Sequence, residues 1–258
     1  MKAIILSAGQ GTRLLPLTRK IPKCALAVSG RSVLEWQLHE IAQCAIDEVV
    51  VVTGFAAESV DDIARKADGV PVRTLHNHYY AQYDNLGTCW MARSEMEGPF
   101  VLLNGDTLFE AAVLRRLLTA TEEIPITVAT DRKDAYDADD MKVIVSSGRL
   151  ARVGKRLDIA DVNGEAIGMS RFTATGAALF REMLDRMVTG SDGAKLWYLS
   201  AVDALARRGQ VGVRWIDGLS WGEIDDRADL DAAQAIVASW PRPEAPLAGQ
   251  SLGAVSGN

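Results

Sequence analysis

Residues 6–30 read LSAGQGTRLLPLTRKIPKCALAVSG, beginning on the last residue of the apolar run KAIIL. A continuous apolar strand running straight into a glycine turn is how an open α/β sheet presents its carboxyl edge to a ligand. The turn itself excludes two phosphate loops. A dinucleotide fingerprint needs a third glycine and an acidic residue about 20 positions on. Here the series is Gly9-Gln10-Gly11-Thr12-Arg13, and the next strand-like run ends in Thr53-Gly54. A Walker loop needs Gly-Lys-Ser/Thr, which is absent. What remains is a turn whose backbone N–H groups can approach a phosphate closely. Arg13 can hold phosphate oxygens in a fork, and Lys23 is a movable point charge. Pro16 and Pro22 stiffen the link between them. An ordinary βα turn with surface cations is the competing reading.

Outward from this stretch, strand-like and helical patterns alternate. SVLEWQLHEIAQCA sets Val33, Leu34, Leu38, Ile41 and Ala42 on one helical face, while DEVVVVTG, PVRTLHN, PFVLLNGD and IPITVAT read as buried strands. AESVDDIARKA, LGTCWMARSEM and AAVLRRLLTATEE read as the intervening helices. The alternation predicts a doubly wound, mostly parallel Rossmann-like sheet. From Asp137 the texture changes: MKVIVSSGRLARV predicts two short strands about a Ser-Ser-Gly turn, and GEAIGMSRF another strand. Two helices, the strand VGVRWID and the helix RADLDAAQAIVASW follow. This half predicts a smaller mixed α+β insertion or lid on the same sheet, the whole forming one domain over 1–240. Residues 241–258, rich in Pro, Gly, Ala and Ser, read as a disordered tail.

With 258 residues, 48% of them hydrophobic, the chain can bury a substantial core. A net charge of −6 gives no electrostatic footprint for nucleic acid or an anionic membrane, so any bound anion must meet a local cluster of cations. No apolar run approaches the roughly 18–20 residues that span a bilayer. Cys24, Cys44 and Cys89 have no metal-like spacing, and the chain enters a strand at once. Reduced thiols and a soluble cytoplasmic protein are therefore expected.

Two distant carboxylate groups give the glycine turn its chemical partner. VLLNGDTLFE ends a buried strand in Gly105-Asp106, at the edge where α/β ligands bind. In SWGEIDDRADL, Glu223 and Asp225 alternate with Gly222 and Ile224, so an extended segment points both carboxylates one way. Asp226 points the other way and can cap the final helix; a mere capping cluster is the alternative. Asp106, Glu223 and Asp225 are hard oxygen donors of the kind Mg²⁺ takes together with substrate phosphates. His39, His76 and His78 match no triad or metal spacing and read as structural.

The segment AIILSAGQGTRLLPLTRKIPKCAL resembles the signature of nucleotidyltransferases that activate phosphorylated sugars and alcohols: a strand, then G-x-G-T-R, then P-K. The W-x-E-I-D-D…D-L form is similar to cytidylyltransferases acting on phosphocholine, aminoalkylphosphonates and polyol phosphates. The resemblance runs to about Trp240 and implies transfer of CMP from CTP to a phosphorylated acceptor, with Mg²⁺ as cofactor and pyrophosphate as leaving group. Catalytic roles then fall on Arg13, Lys23 and Asp106, and metal binding on Asp106, Glu223 and Asp225. It also implies triphosphate, ribose and base contacts at Leu6, Ala8, Gly9, Gly11, Thr12, Asn85, Gly87, Thr88 and Gly105, mainly within 1–135. Lys142, Lys155, Glu165, Gly168, Trp197 and Tyr198 would line the acceptor site. Trp197 and Tyr198 offer faces for a quaternary ammonium, but Leu199 and Ser200 stand where an acidic partner is expected. That departure keeps aminoalkylphosphonate, polyol phosphate and sugar 1-phosphate acceptors open beside phosphocholine. A sugar-1-phosphate uridylyl-, thymidylyl- or guanylyltransferase is the second enzyme reading, and a non-catalytic nucleotide-binding regulator the third. A homo-oligomer is left open.

Overall fold

The computed structural model describes residues 1–240; the expected tail at 241–258 lies outside the described residues. The chain opens with β1 (Lys2–Ser7), whose successor β4 follows a ribbon of β2 (Ala27–Val28) and β3 (Arg31–Ser32) and helix α1 (Val33–Ile41). Next come β4 (Glu48–Thr53), α2 (Ala57–Lys66), β5 (Val72–His76), α3 (Asn85–Met91), β6 (Phe100–Asn104), β7 (Thr107–Phe109) and α4 (Ala111–Leu118). The second half holds β8 (Ile126–Asp131), β9 (Lys142–Ser146), β10 (Arg149–Val153), β11 (Gly164–Phe172), α5 (Ala174–Val188) and α6 (Tyr198–Ala206). It closes with β12 (Val211–Trp215), β13 (Trp221–Glu223) and α7 (Arg227–Ala238).

Nine strands form one sheet in the order β5-β4-β1-β6-β11-β8-β12-β10-β9. β5, β4, β1 and β6 run parallel, with Ile5 opposite both Val51 and Leu103. Residues alternate strictly along β1: Ala3 and Ile5 face the cluster containing Leu34, Leu38 and Leu114, and Ile4 faces the one containing Phe100, Phe172 and Phe180. Both faces are covered, which is why these strands read as unbroken apolar runs. Strand order reverses at β1, with β4 on one side and β6 on the other. The crevice of such a sheet opens at this switch point, beyond the carboxyl ends of the strands.

β11 runs antiparallel to both β6 and β8, while β12 lies parallel to β8. The register of β11 shifts between Ala166 and Ser170, around Gly168 at φ +73°. A side chain there would put its Cβ 2.6 Å from Asn104 Nδ2, so glycine permits both the bulge and the close approach. The first part of β11 pairs with β9 instead of β6, which returns the β9–β10 hairpin onto the sheet. That hairpin turns at Ser147 and Gly148, both at positive φ, as the Ser-Ser-Gly pattern predicts. The second half thus continues the first half's sheet.

Two short elements were not legible in the sequence. β7 and β13 pair as a separate antiparallel ribbon, three residues each, below the length at which alternation can be recognised. α7 packs over this ribbon through Leu230, Ala233 and Val237, together with Leu14, Leu26 and Ile224. Asp226 caps α7 by accepting from Ala228 N and Asp229 N, as expected. Among the described residues, no helix is long and apolar enough to cross a membrane.

Candidate active site

The floor of the crevice is built from backbone. Gly11 lies in the left-handed region at φ +75°, and a Cβ on it would come within 3.0 Å of Lys23 Cβ. Gly105 donates its N–H to Leu6 O at 3.0 Å, and a Cβ there would stand 2.5 Å from Ser7 Oγ and Leu6 O. Glycine at these two places lets the ends of β1 and β6 close around the turn. Asp106 follows immediately, at the carboxyl edge.

Lys23 enters on the short turn after Pro22 and reaches across the crevice. Its Nζ stands 2.8 Å from Asp106 Oδ2 and 2.5 Å from Asp225 Oδ1. Arg13 Nη2 takes the other oxygen of Asp225 at 2.8 Å. The β7–β13 ribbon brings these groups together: Glu223 stands opposite Thr107, and Ile224 N donates to Asp106 O at 3.1 Å. Carboxylate oxygens of Asp106, Glu223 and Asp225 all lie within 4.8 Å of one another. The predicted trio is assembled.

Electrostatics separates its members. Burial works against the charge on Lys23, but Asp106 and Asp225 outweigh it and hold the ammonium above its ordinary range. Burial would raise Asp225; Lys23 and Arg13 overcome this and keep it ionised below the usual carboxylate range. Glu223 is open to water in the crevice, yet the surrounding protein and the like charges of Asp106 and Asp225 push it up to about 8. Asp106 Oδ1 is buried without a hydrogen-bond partner. An orphaned carboxylate oxygen in an all-oxygen trio fits a hard divalent cation.

On one side of this centre, a cavity of about 440 Å³ is lined by Leu6, Ala8, Gly9, Asn85 and Thr88, with Tyr80, Gln82, Tyr83 and Asp84. A smaller one of about 230 Å³ joins Gly9, Gly11, Lys23, Gly105 and Asp106. Most of the expected nucleotide contacts therefore meet. Asn85 and Gly87 carry other tasks, and Thr12 stands apart. Asn85 Oδ1 accepts from Tyr198 N at 2.7 Å, tying α3 to α6. A Cβ on Gly87 would lie 2.3 Å from Tyr83 Cβ, so this glycine seats Tyr83 in the cavity wall rather than touching the cavity. Thr12 is exposed at the start of a short turn and lines neither cavity.

On the other side, the expected acceptor residues divide. Glu165 lines an acidic recess of about 440 Å³ with Arg13, Lys133, Asp139, Trp221 and Glu223. Its carboxyl is pushed up to about 7 by burial, against the pull of Lys133 at 2.5 Å. Lys155 and Trp197 line a separate recess of about 210 Å³ with Arg152, Arg156 and Ser200. Lys155 Nζ sits 4.6 Å from the centre of the Trp197 ring, so the aromatic face expected for a substrate ammonium already carries a cation of this chain. Gly168 is the bulge beneath Asn104. Two expectations are corrected. Tyr198 is 1% exposed and packs edge-on against Phe180, a core residue that presents no face to either recess. Lys142 is buried and turned inward, its ammonium donating to the carbonyls of Asp137, Asp140 and Lys155.

The model of the MobA-like NTP transferase domain matches residues 3–198. The chain belongs to this family. Choline-phosphate cytidylyltransferase of Streptococcus pneumoniae is 25% identical over 243 residues, covering 92% of this chain and 98% of that protein. CTP:phosphoglutamine cytidylyltransferase of Campylobacter jejuni is 25% identical over 251 residues, covering 90% and 98%. The solved inositol-1-phosphate CTP transferase of T. maritima superposes with a TM-score of 0.76 at 22% identity, over 93% of this chain and 98% of that one. This last likeness establishes the nucleotide-diphospho-sugar transferase type of fold, as expected.

In this NTP transferase the sequence reading missed Asp139, Asp140 and Lys133 around the acidic recess, and Tyr80, Gln82 and Asp84 around the larger cavity beside the glycine turn. Lys133-Asp134-Ala135-Tyr136-Asp137-Ala138-Asp139-Asp140 is a charge run in a loop, and such runs ordinarily face solvent. Asp84 carried a weak signal, standing as it does at the N-cap of α3.

Proposed function

We propose that this NTP transferase moves CMP from CTP, with Mg²⁺, onto a small phosphorylated or phosphonate acceptor and releases pyrophosphate. The observation that carries the proposal is the meeting of Lys23 with Asp106 and Asp225 beside the glycine turn, with Glu223 in the same trio. A phosphate oxygen of the acceptor attacks the α-phosphorus, and the bond to the pyrophosphate oxygen breaks. The attacking oxygen is already ionised, so no general base is needed, in keeping with a crevice whose predicted site contains no histidine. What the reaction needs is neutralisation of accumulating negative charge.

The chain's own groups are suited to that task. The Gly9–Gly11 turn offers backbone N–H groups to the triphosphate, Arg13 offers its fork, and Lys23 holds its charge because two carboxylates keep it protonated. Asp106, Glu223 and Asp225 would hold Mg²⁺, which when bound supplies a positive centre at the α-phosphate. Ala8, Asn85 and Thr88 would meet base and ribose in the cavity beside the turn, with Leu6, Gly105 and Thr12 framing the loop and Gly87 supporting Tyr83. Lys155, Glu165, Gly168 and Trp197 would bound the acceptor. The cytidine preference is supported by the names of the relatives, which specify CTP or cytidylyl transfer.

Pyrophosphate release over four nucleoside triphosphates and a panel of phosphorylated acceptors tests the reading. Release with CTP and a small phosphate or phosphonate is expected, lost with EDTA and restored by Mg²⁺. Asp106→Asn should abolish turnover while leaving the fold intact. A preference for UTP or dTTP with hexose 1-phosphates would replace the cytidylyl reading, and silence in every pair would overturn both.

A further inference from the structure

The loop between β8 and β9 carries a carboxylate into the space between the two halves of the site. Asp139 Oδ2 lies 3.2 Å from Arg13 Nη1, and its Oδ1 lies 3.5 Å from Lys155 Nζ. Arg13 and Lys155 are far apart in sequence, and one carboxylate spans them with both oxygens. We propose that Asp139 is a resident anion holding the acceptor's place, and that a doubly charged phosphate or phosphonate displaces it from Arg13 and Lys155. The acceptor chemistry is taken from the function proposed above; the placement of Asp139 is independent of it.

Three observations carry this. First, the backbone around Asp139 is pinned while its side chain is not. Lys142 holds the carbonyls of Asp137 and Asp140 from below, Asp140 accepts from Lys133 Nζ at 2.9 Å, and Asp137 Oδ1 accepts from Asp139 N at 2.8 Å. The Asp139 side chain itself is 68% exposed, held by its two ion pairs and free to rotate away. Second, Arg13 also pairs with Asp225 of the carboxylate trio, and Lys155 lies over Trp197 in the cationic recess. An anion between them is within a small molecule's length of the metal-type centre. Third, exposed ion pairs of this kind are individually weak, so a group of charge −2 gains over the resident carboxylate while a group of charge −1 gains little. Asp139 therefore acts as an internal competitor at this pair of cations. It weakens binding of every anion by a common factor, and a dianion, attracted more strongly by the two cations, retains the larger net affinity.

The test needs no turnover. Inorganic phosphate is titrated at pH 8 by calorimetry into metal-free wild type, Asp139→Asn, Lys155→Gln and the double variant, with acetate as the monoanionic control. Removing two half-exposed pairs should tighten phosphate binding about threefold to tenfold in Asp139→Asn. In the Lys155→Gln background the same change should gain about twofold or less, since half of the competition is gone. Acetate should gain by about the same factor as phosphate, because either anion must displace the same resident carboxylate. Equal or weaker phosphate binding in Asp139→Asn overturns the proposal, as does an undiminished gain without Lys155 or no measurable phosphate binding in all four proteins. Failure of the transferase reading alone would leave these titrations unchanged.

Discussion

Replacing Lys23 with methionine removes the one ammonium that bridges Asp106 and Asp225, and keeps most of the apolar stem. The Lys23 side chain is 14% exposed, and its partners are 23% and 21% exposed, so the pairs are shielded but not dry. At an effective dielectric of about 20, two opposite charges some 3 Å apart attract by about 5 kcal/mol before desolvation is counted. Most of that is cancelled when the pair forms, but deleting one partner strands the others, at about 3–5 kcal/mol for a buried pair. Arg13 still holds Asp225 at 2.8 Å, which favours the lower end, about 3 kcal/mol. For a chain of this size, that corresponds to a fall in Tm of about 6–12 °C in EDTA. Mg²⁺ should then raise the Tm of Lys23→Met more than that of wild type, because in wild type the cation competes with the ammonium for the same oxygens. Differential scanning calorimetry with EDTA and with excess Mg²⁺ reads both effects. Equal melting temperatures in EDTA, or equal shifts with Mg²⁺, would refute the reasoning that Lys23 balances the carboxylate trio. In turnover, kcat should fall by more than the KM for CTP rises.

Gly87→Ala should move Tyr83 out of the cavity wall, since the added Cβ would start 2.3 Å from Tyr83 Cβ; the KM for CTP should rise severalfold while the acceptor KM holds, and unchanged CTP kinetics would show that Tyr83 does not shape that cavity. At the far edge of the sheet, Glu95 is held down to about 2, first by Arg73, with Lys2 helping at 2.7 Å against the effect of burial. The folded state therefore binds this proton less readily than the unfolded chain, so the stability Glu95 adds is fully present above about pH 4.5 and lost as pH falls towards 2. Because Arg73 is 42% exposed, the contribution is discounted for solvent screening to about 1–2 kcal/mol. Urea unfolding of Glu95→Gln should show that deficit at pH 7 and a shrinking one by pH 3; a constant deficit would count against the ion pair as its source.

Local signals made much of the architecture readable. β1, β4 and β6 are continuous apolar runs because both faces of the sheet are covered, and the spacing of Val33, Leu34, Leu38 and Ile41 marks the buried face of α1. The glycine turn, Pro22-Lys23 and Gly105-Asp106 were legible for the same reason: each is a short chain of residues whose conformational needs are written in the residues themselves. Glu223 and Asp225 were placed on one side of an extended segment by alternation alone. Where reading failed, a side chain's direction depended on distant pairing. Lys142 sits in a strand pattern that is equally good for an outward or an inward ammonium, and the carbonyls of the 137–140 loop turned it inward. Tyr198 and Trp197 are neighbours in sequence, but the start of α6 directs one into the core and leaves the other beside Lys155.

The amino-acid sequence by itself determined the parallel half of the sheet, the glycine turn at its switch point and the kinds of charge that would gather there. Periodicity, glycine conformation and side-chain chemistry are local properties, and they survive without knowledge of the fold. Only the tertiary structure decided that Lys23 meets a carboxylate 83 residues away and another 202 residues away. That meeting follows from the pairing of β7 with β13 and the packing of α7 upon them, contacts between short segments that carry no periodic signal. The place of Asp139 between Arg13 and Lys155 was decided in the same way, because a loop's direction is set by what anchors its two ends.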